Sequence, residues 1–168
     1  MGTLLLKMSG GLVAVLLLMT NTVCLADEPG TRQQAQAMVE RAAAFLKENG
    51  REKALAEFNN PKGLFIDHDL YVVAYAADGV RLSHPYNRKL VGRSVAATTD
   101  IDGKPYGQEI LTVGNSKGSG WVEYKYSDPT TKKLAEKALY VLKVGDIILG
   151  CGAYKQIFNN PWRIQSSH

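Results

Sequence analysis

The chain has 168 residues, of which 45% are hydrophobic and 21% are charged. This balance excludes a disordered or fibrous protein, and the length suits one globular domain better than two. Twenty basic residues stand against sixteen acidic ones, for a formal net charge of +4. Because the two signs are interspersed, the sequence lacks the dense basic footprint of a nucleic-acid-binding protein.

Residues 1–26 have the pattern of a secretory signal peptide. Lys7 supplies a positive start, an apolar run follows over residues 12–19, and the small residue Ala26 precedes a polar stretch. The apolar run is too short for a comfortable membrane span. We therefore expect cleavage near Ala26 and export to the periplasm or the medium, with an uncleaved N-terminal anchor as the alternative.

The positions of the two cysteines predict that the exported chain has no internal disulfide. Cys24 lies in the predicted signal peptide, and a lipoprotein role is disfavoured because bulky Val23 precedes it. Cys151 then remains alone, so the domain must be stabilised by its own hydrophobic core. We expect this domain over residues 27–155, followed by a C-terminal tail over residues 156–168.

Two amphipathic helices are predicted at the start of the domain. Apolar residues recur at three- and four-residue spacing over residues 31–48, which places them on one helix face. Thr31 and Gln34 fit a capping box, and Gly50 fits the end of this helix. A second, shorter helix is predicted over residues 51–58.

Five antiparallel strands are predicted after the helices, which makes the chain an α+β protein. Turn signals such as Asp78-Gly79 and Gly145-Asp146 separate neighbouring strands into hairpins. A short helix is expected over residues 106–115, above the sheet. The predicted strands cover residues 70–77, 80–84, 121–126, 138–144 and 147–154.

Signatures of catalysis are scarce. The sequence contains no paired metal-ligand spacing, nucleophile elbow or phosphate-binding glycine loop. In Asp67-His68-Asp69, consecutive side chains of an extended segment point to alternate sides, which favours a solvated loop over a metal site. Cys151 has no identifiable basic partner, which favours a packing role. We expect a protein that is not an enzyme and that needs no metal or cofactor.

A binding pocket has better support from the pattern of the second strand. Alternation places Val80, Leu82 and His84 on one face, which we interpret as the inward face, and Arg81 and Ser83 on the other. His84 is therefore a candidate for the pocket.

Aromatic residues and one lysine complete the candidate pocket. Tyrosine hydroxyls need partners when buried, so several on one sheet face could line a small polar cavity. Lys137, at the start of a strand, is the natural counter-charge for a carboxylate. The alternative is an ordinary aromatic core with an exposed lysine. The aromatic candidates are Tyr71, Tyr75, Trp121, Tyr124, Tyr126 and Tyr140.

An ordered series of short motifs extends from the first helix to Tyr154. Its members are Gly63 with Phe65, Leu70-Tyr71-Val72, Asp78-Gly79, His84-Pro85 with Asn87, Leu90-Val91-Gly92, Asp102-Gly103-Lys104, Gly120-Trp121-Val122-Glu123-Tyr124, Lys137 with Tyr140, and Gly150-Cys151-Gly152-Ala153-Tyr154. At these intervals the series resembles the single Cache domain family, which comprises extracytoplasmic small-molecule sensors of bacterial receptors.

The resemblance implies a long N-terminal helix followed by a PAS-like five-stranded antiparallel sheet, with short helices and loops covering the ligand face. It also implies a small carboxylate ligand, such as pyruvate, acetate or propionate. Carried over by position, the ligand-binding residues would be His84, Tyr124, Lys137 and Tyr140, with Tyr71 and Trp121 as walls. Lys137 would neutralise the carboxylate, His84 and the tyrosines would donate hydrogen bonds, and Trp121 would close the apolar side.

The expected output differs from that of a receptor. Receptors of this type carry a second transmembrane helix after the domain, and no such stretch follows residue 155 here. We therefore expect a free-standing binding protein that presents its ligand to a separate membrane receptor or histidine kinase. One alternative is an accessory protein with a vestigial pocket, whose partner or second copy docks on the long helix. Another is a small hydrolase that uses His84 or Cys151, although no series of nucleophile, base and orienting group supports it.

Overall fold

The computed structural model describes residues 29–155. The predicted signal peptide with its cleavage site, and the predicted tail from residue 156 onward, lie outside these residues. Among the described residues, a long helix precedes an antiparallel sheet, which confirms the predicted fold class. No helix in this part of the chain combines the length and the apolar character needed to cross a membrane.

The first helix, α1 (Arg32–Phe58), has the predicted start and the predicted interruption. The Thr31 side chain accepts a hydrogen bond from the backbone N–H of Gln34, and the Gln34 side chain accepts one from Thr31, which completes the capping box. Gly50 has φ 79° and ψ 166°, a backbone conformation that no helix contains. The two predicted helices are therefore the two arms of one kinked helix.

The sheet has six strands where five were predicted. The additional strand, β1, has two residues and pairs with the start of β2. The strand order is β1-β2-β6-β5-β4, β3 pairs with β2, and all pairs are antiparallel. The strands are β1 (Ile66–Asp67), β2 (Leu70–Ala76), β3 (Arg81–Ser83), β4 (Ser119–Ser127), β5 (Leu134–Val144) and β6 (Ile147–Tyr154).

The two faces of the sheet carry separate cores because side chains alternate along each strand. On the helix face, the apolar stripe of α1, including Met38 and Val39, packs against Val72 and Leu149. On the aromatic face, the second helix α2 (Tyr106–Thr112) covers the sheet. This second core contains Tyr71, Val73, Tyr75, Val95, Tyr106, Ile110, Val122, Tyr124, Leu139, Val141, Ile148 and Tyr154.

Candidate functional site

Lys137 is buried on the aromatic face, with only 3% of its surface exposed. The register of β5 places it between Tyr124 of β4 and Tyr154 of β6. Its Nζ donates hydrogen bonds to the Tyr71 hydroxyl at 2.9 Å and to the Tyr154 hydroxyl at 3.0 Å. The same atom lies 4.1 Å from the centre of the Tyr71 ring and 4.5 Å from that of Tyr154. The structure therefore excludes the alternative of an exposed lysine.

The charge of Lys137 has only distant compensation. Within residues 29–155, the direct partners of Nζ are phenols and rings, while Asp69 and Asp128 act on it through longer-range attraction. The Asp128 carboxylate is occupied in its own turn, where Oδ1 accepts hydrogen bonds from Thr130 Oγ1 at 2.7 Å and from Thr130 N at 2.7 Å. Burial outweighs these attractions and lowers the pKa of Lys137 to about 7.

One N–H of the Lys137 ammonium remains available for a ligand. An ammonium has three N–H donors, and two of them are used by Tyr71 and Tyr154. The Tyr154 hydroxyl donates onward to the Ser127 carbonyl at 3.1 Å, which leaves its oxygen free to accept from Nζ. The two phenols thus orient the ammonium without neutralising it.

His84 is buried next to this cluster as a neutral imidazole. Its ring centre lies 5.4 Å from that of Tyr71. Burial, together with repulsion from Lys137 and Arg81, lowers the pKa of His84 to about 3. Nδ1 accepts a hydrogen bond from the backbone N–H of Asn87 at 3.0 Å, so Nε2 carries the proton. His84 can therefore donate one hydrogen bond to a ligand.

The predicted faces of β3 are wrong. Arg81 and Ser83, predicted to point outward, are buried at positions paired with Tyr75 and Ala74, while Leu82 packs on the helix face. The physical reason is the short strand: β3 ends at Ser83, so strand alternation does not extend to His84. A bulge in β2 also shifts the register of this pair.

Arg81 and Tyr154 are the candidate site residues that the sequence did not single out, and Arg81 is the one without an obvious aromatic signal. Arg81 is 4% exposed, and its guanidinium carbon lies 5.5 Å from the centre of the Tyr75 ring. Its Nε and the hydroxyl oxygen of Ser83 have no hydrogen-bond partner among the described residues. The sequence does contain a clue to Arg81. It alternates with Leu82 in a strand whose hairpin partner is rich in tyrosine.

Trp121 and Tyr140 lie away from Lys137, on the helix face. They are cross-strand partners with ring centres 5.1 Å apart, and the Arg32 guanidinium carbon lies 5.2 Å from the centre of the Trp121 ring. Tyr140 is three residues from Lys137 in the same strand, and an odd spacing places two side chains on opposite faces. The structure therefore does not bring these two candidates together with the other four.

Tyr124 and the neighbouring rings form one wall of the aromatic face. Tyr124 stacks on Tyr106 of α2, with centres 4.1 Å apart and planes 5° apart. Tyr126 meets both rings edge to face. Tyr86 stands edge-on to Tyr71 at 5.1 Å and is 41% exposed, which places it at the outer side of the cluster.

A cavity of about 520 Å³ opens near the start of α1, on the helix face rather than at the Lys137 cluster. Its lining includes Thr31 and the helix-facing positions Glu123, Glu136 and Ala153. Lys137 also borders it, together with Tyr124 and Tyr154, but the side chains of these three residues belong to the aromatic face. We do not place the ligand there, because Lys137 Nζ and its phenol partners Tyr71 and Tyr154 lie on the other side of the sheet.

The structure also shows the surroundings of Cys151 and of the segment Asp67-His68-Asp69. Cys151 is a buried free thiol that packs with its Sγ 3.7 Å from Met38 Sδ, and burial raises its pKa to about 12, as expected for a packing role. The segment Asp67-His68-Asp69 is only partly solvated, because Asp69 is buried and accepts the backbone N–H of Gly30 at 2.7 Å. No group of three metal-ligating side chains occurs among residues 29–155.

Comparison with known proteins gives the family. A family model described as Single Cache domain 2 matches residues 25–167. The chain belongs to the single Cache domain family. Cache domains are extracytoplasmic sensor modules that bind ligands without catalysis, and the relatives of this chain are chemoreceptor sensor domains.

Individual relatives of this single Cache domain are distant. Over 118 residues it is 26% identical to the methyl-accepting chemotaxis protein McpP of Pseudomonas putida. The alignment covers 69% of this chain and 21% of that protein. The chain thus spans about a fifth of the length of this curated relative. A Cache chemosensory domain whose structure explains carboxylic acid recognition is 26% identical with a TM-score of 0.58, covering 74% of this chain and 88% of that one.

A third relative supports the fold alone. It is the methyl-accepting chemotaxis protein from Vibrio parahaemolyticus, with 19% identity and a TM-score of 0.62. The superposition covers 73% of this chain and 86% of that one. The helix and the sheet described above therefore have the same fold as that structure.

Proposed function

We propose that this single Cache domain binds a short-chain carboxylate on its aromatic face, outside the cytoplasm. One observation carries the proposal: Lys137 is a buried lysine whose direct partners, within the described residues, are two phenols and no carboxylate. A buried charge without a close counter-ion is unfavourable. A carboxylate ligand would supply the missing negative charge. The relative described for carboxylic acid recognition supports this ligand class.

The described contacts give each residue a role in this proposal. Lys137 offers its third N–H and its charge to the carboxylate. His84 offers the Nε2 proton, because its Nδ1 is held by Asn87. Tyr71 and Tyr154 fix the ammonium. Tyr124, on the same face, provides apolar ring surface for the carbon atoms of the ligand.

A thermal-shift and calorimetry panel tests the proposal. The purified domain is titrated with acetate, propionate, pyruvate and lactate, with the corresponding amines and amides as negative controls. Saturation at about one hundred times Kd should add about 2.7 kcal/mol to the free energy of unfolding. Lys137→Met should abolish the shift, because the substitution keeps the length and removes the charge.

A matched control lies in the same strand. Lys143 donates to Asn115 Oδ1 at 2.8 Å and does not belong to the cluster. Lys143→Met should bind the acids as the wild type does. Stabilisation by amines but not by acids would reject the ligand class. Equal responses of the two lysine variants would reject the site and favour the accessory protein with a vestigial pocket.

Location and output belong to the same proposal. We propose that the domain lies in the periplasm and passes its signal to a separate membrane receptor or histidine kinase, since the curated relative is a methyl-accepting chemotaxis protein. N-terminal sequencing of the periplasmic protein should give a start near residue 27. Crosslinking to a co-expressed chemoreceptor should increase when the binding acid is present. A cytoplasmic protein with an intact Met1 would contradict this part.

A further inference from the structure

The aromatic face contains a second buried cation, at Arg81, far from Lys137 in the register of the sheet. We propose that Arg81 and Ser83 form a second anion-binding subsite, so that the ligand is a short dicarboxylate whose two ends are bound by Lys137 and by Arg81. This inference rests on the proposed function and specifies its substrate class.

The register of the sheet separates the two cations. Arg81 pairs with Tyr75, which pairs with Ile148, which in turn pairs with Lys143 of β5. Lys143 is six residues from Lys137 along β5, a rise of about 20 Å at roughly 3.3 Å per residue. Lys137 reaches the Tyr71 hydroxyl and the Arg81 guanidinium lies over the Tyr75 ring, so the two cations occupy different ends of the face and one small carboxylate is a poor match for both.

The Arg81 end lacks a carboxylate partner, and its described side-chain neighbour is Tyr75. Every ion pair described within residues 29–155 lies at the surface, and Arg81 takes part in none of them. Its Nε and the Ser83 hydroxyl, two residues further along β3, are both buried and unpaired. Buried unpaired donors are rare in folded proteins, and two of them within three residues favour a ligand group at this end of the face.

The residues between the two cations are shared by both. His84 experiences the charge of Lys137 and the charge of Arg81. Tyr126 lies 5.6 Å from Lys137 Nζ, measured to its ring centre, and also experiences the charge of Arg81. His84 and Tyr126 are therefore within electrostatic reach of both cations, which suits a ligand with an apolar middle and two anionic ends.

Matched acid pairs test the inference on the whole exported chain. Calorimetry compares succinate with butyrate and glutarate with pentanoate, which differ by one carboxylate at constant carbon number. Monomethyl succinate serves as a probe that keeps the shape and loses the second charge. We expect the dicarboxylate of at least one pair to bind about tenfold or more tightly, the effect of one charge-assisted contact.

Variants then assign the second carboxylate to Arg81. Arg81→Gln should remove the preference for the dicarboxylate and leave the affinity for the monocarboxylate within about twofold. Arg93→Gln is the matched control, because Arg93 is exposed and its described hydrogen bond with Arg81 joins the two backbones, from Arg81 N–H to the Arg93 carbonyl at 3.0 Å. Ser83→Ala, a smaller change, should lower the preference in the same direction if Arg81→Gln fails to fold.

The outcomes distinguish this inference from the proposed function. Equal affinities within every acid pair, or a preference for the monocarboxylate, would overturn the second subsite while leaving Lys137 as a carboxylate site. An equal loss of both acids in Arg81→Gln would also overturn it, since both cations would then share one carboxylate. The proposed function itself would be overturned if no acid bound the wild type, or if Lys137→Met left acid binding unchanged.

Discussion

The backbone of Gly152 lies directly beneath the side chain of Lys137. A Cβ atom added to Gly152 would lie 2.1 Å from Cε of Lys137 and 2.9 Å from its Cγ. Gly152 belongs to β6, the strand between β5, which carries Lys137, and β2, which carries Tyr71. The missing side chain therefore lets Lys137 extend across β6 and reach the Tyr71 hydroxyl.

Gly152→Ala should displace Lys137 from its phenol partners. The new methyl group cannot share the space of the lysine stem, and overpacking of this kind typically costs about 1–3 kcal/mol. We expect a lower unfolding free energy, measured by urea titration, and loss of carboxylate binding, measured by calorimetry. Gly150→Ala is the control on the same strand, because its nearest contact is a flexible Leu139 side chain at 3.2 Å. Comparable losses of binding in both variants would refute the role of Gly152.

The sequence predicted the elements better than it predicted their faces. Capping residues, the break at Gly50 and the hairpin turns are local signals, and each element they bound is present. The site depended on contacts between distant strands. Trp121 was assigned to the pocket, yet it lies three residues from Tyr124 in the same strand. Strand alternation alone would have placed the two side chains on opposite faces of the sheet.

The misassignment of β3 has a different origin. Its inward face depends on how three residues pair with β2, and the bulge between Ala74 and Tyr75 is not encoded by a recognisable local signal. Lys137 shows the same limit, since its burial depends on Gly152 of another strand. Residues that act through long-range packing are visible only once the sheet is assembled.

Lys137 should make the stability of the protein rise with pH above neutrality. Its pKa is about 7 in the folded chain, against 10.5 for an unperturbed lysine. Between these values the unfolded chain binds more protons than the folded one, so the free energy of unfolding increases by at most about 1.4 kcal/mol per pH unit. Urea titrations between pH 7 and roughly 8 measure this slope, where Cys151 remains largely protonated in the unfolded chain too.

The lysine variants isolate this contribution. Lys137→Met should lose the slope and should be at least as stable as the wild type at pH 7, because a buried charge is replaced by an apolar chain of similar length. Lys143→Met should keep the slope of the wild type. A slope that persists unchanged in Lys137→Met would show that another group is responsible.

Two substitutions of His84 should separate its structural role from its ligand-binding role. The oxygen of His84→Asn can replace Nδ1 as acceptor for the Asn87 N–H, but the variant lacks a donor at the Nε2 position. His84→Gln has the opposite capacity. We expect His84→Asn to retain stability and to lose about tenfold in carboxylate affinity, and His84→Gln to lose about 1 kcal/mol of stability with a smaller change in affinity.

The same pair predicts a difference at acid pH. The folded pKa of His84 is about 3, against 6.5 for a free imidazole, so the unfolded chain takes up the proton first as pH falls. Wild-type stability should therefore decrease between about pH 6.5 and 3 through this group, and both variants should lack that part of the decrease. Identical acid denaturation profiles for all three proteins would contradict the buried neutral imidazole.

Removing one hydroxyl on each face of the sheet should give opposite results. Tyr154→Phe removes an acceptor of Lys137 and the donor to the Ser127 carbonyl, so we expect a loss of about 1 kcal/mol in stability and roughly five- to tenfold in carboxylate affinity. Tyr140→Phe, three residues from Lys137 but on the helix face, should leave affinity within about twofold. Calorimetry with the acid that binds the wild type measures both. If Tyr140→Phe weakened binding as much as Tyr154→Phe, the ligand would contact the helix face, and the cavity near the start of α1 would become the site to test.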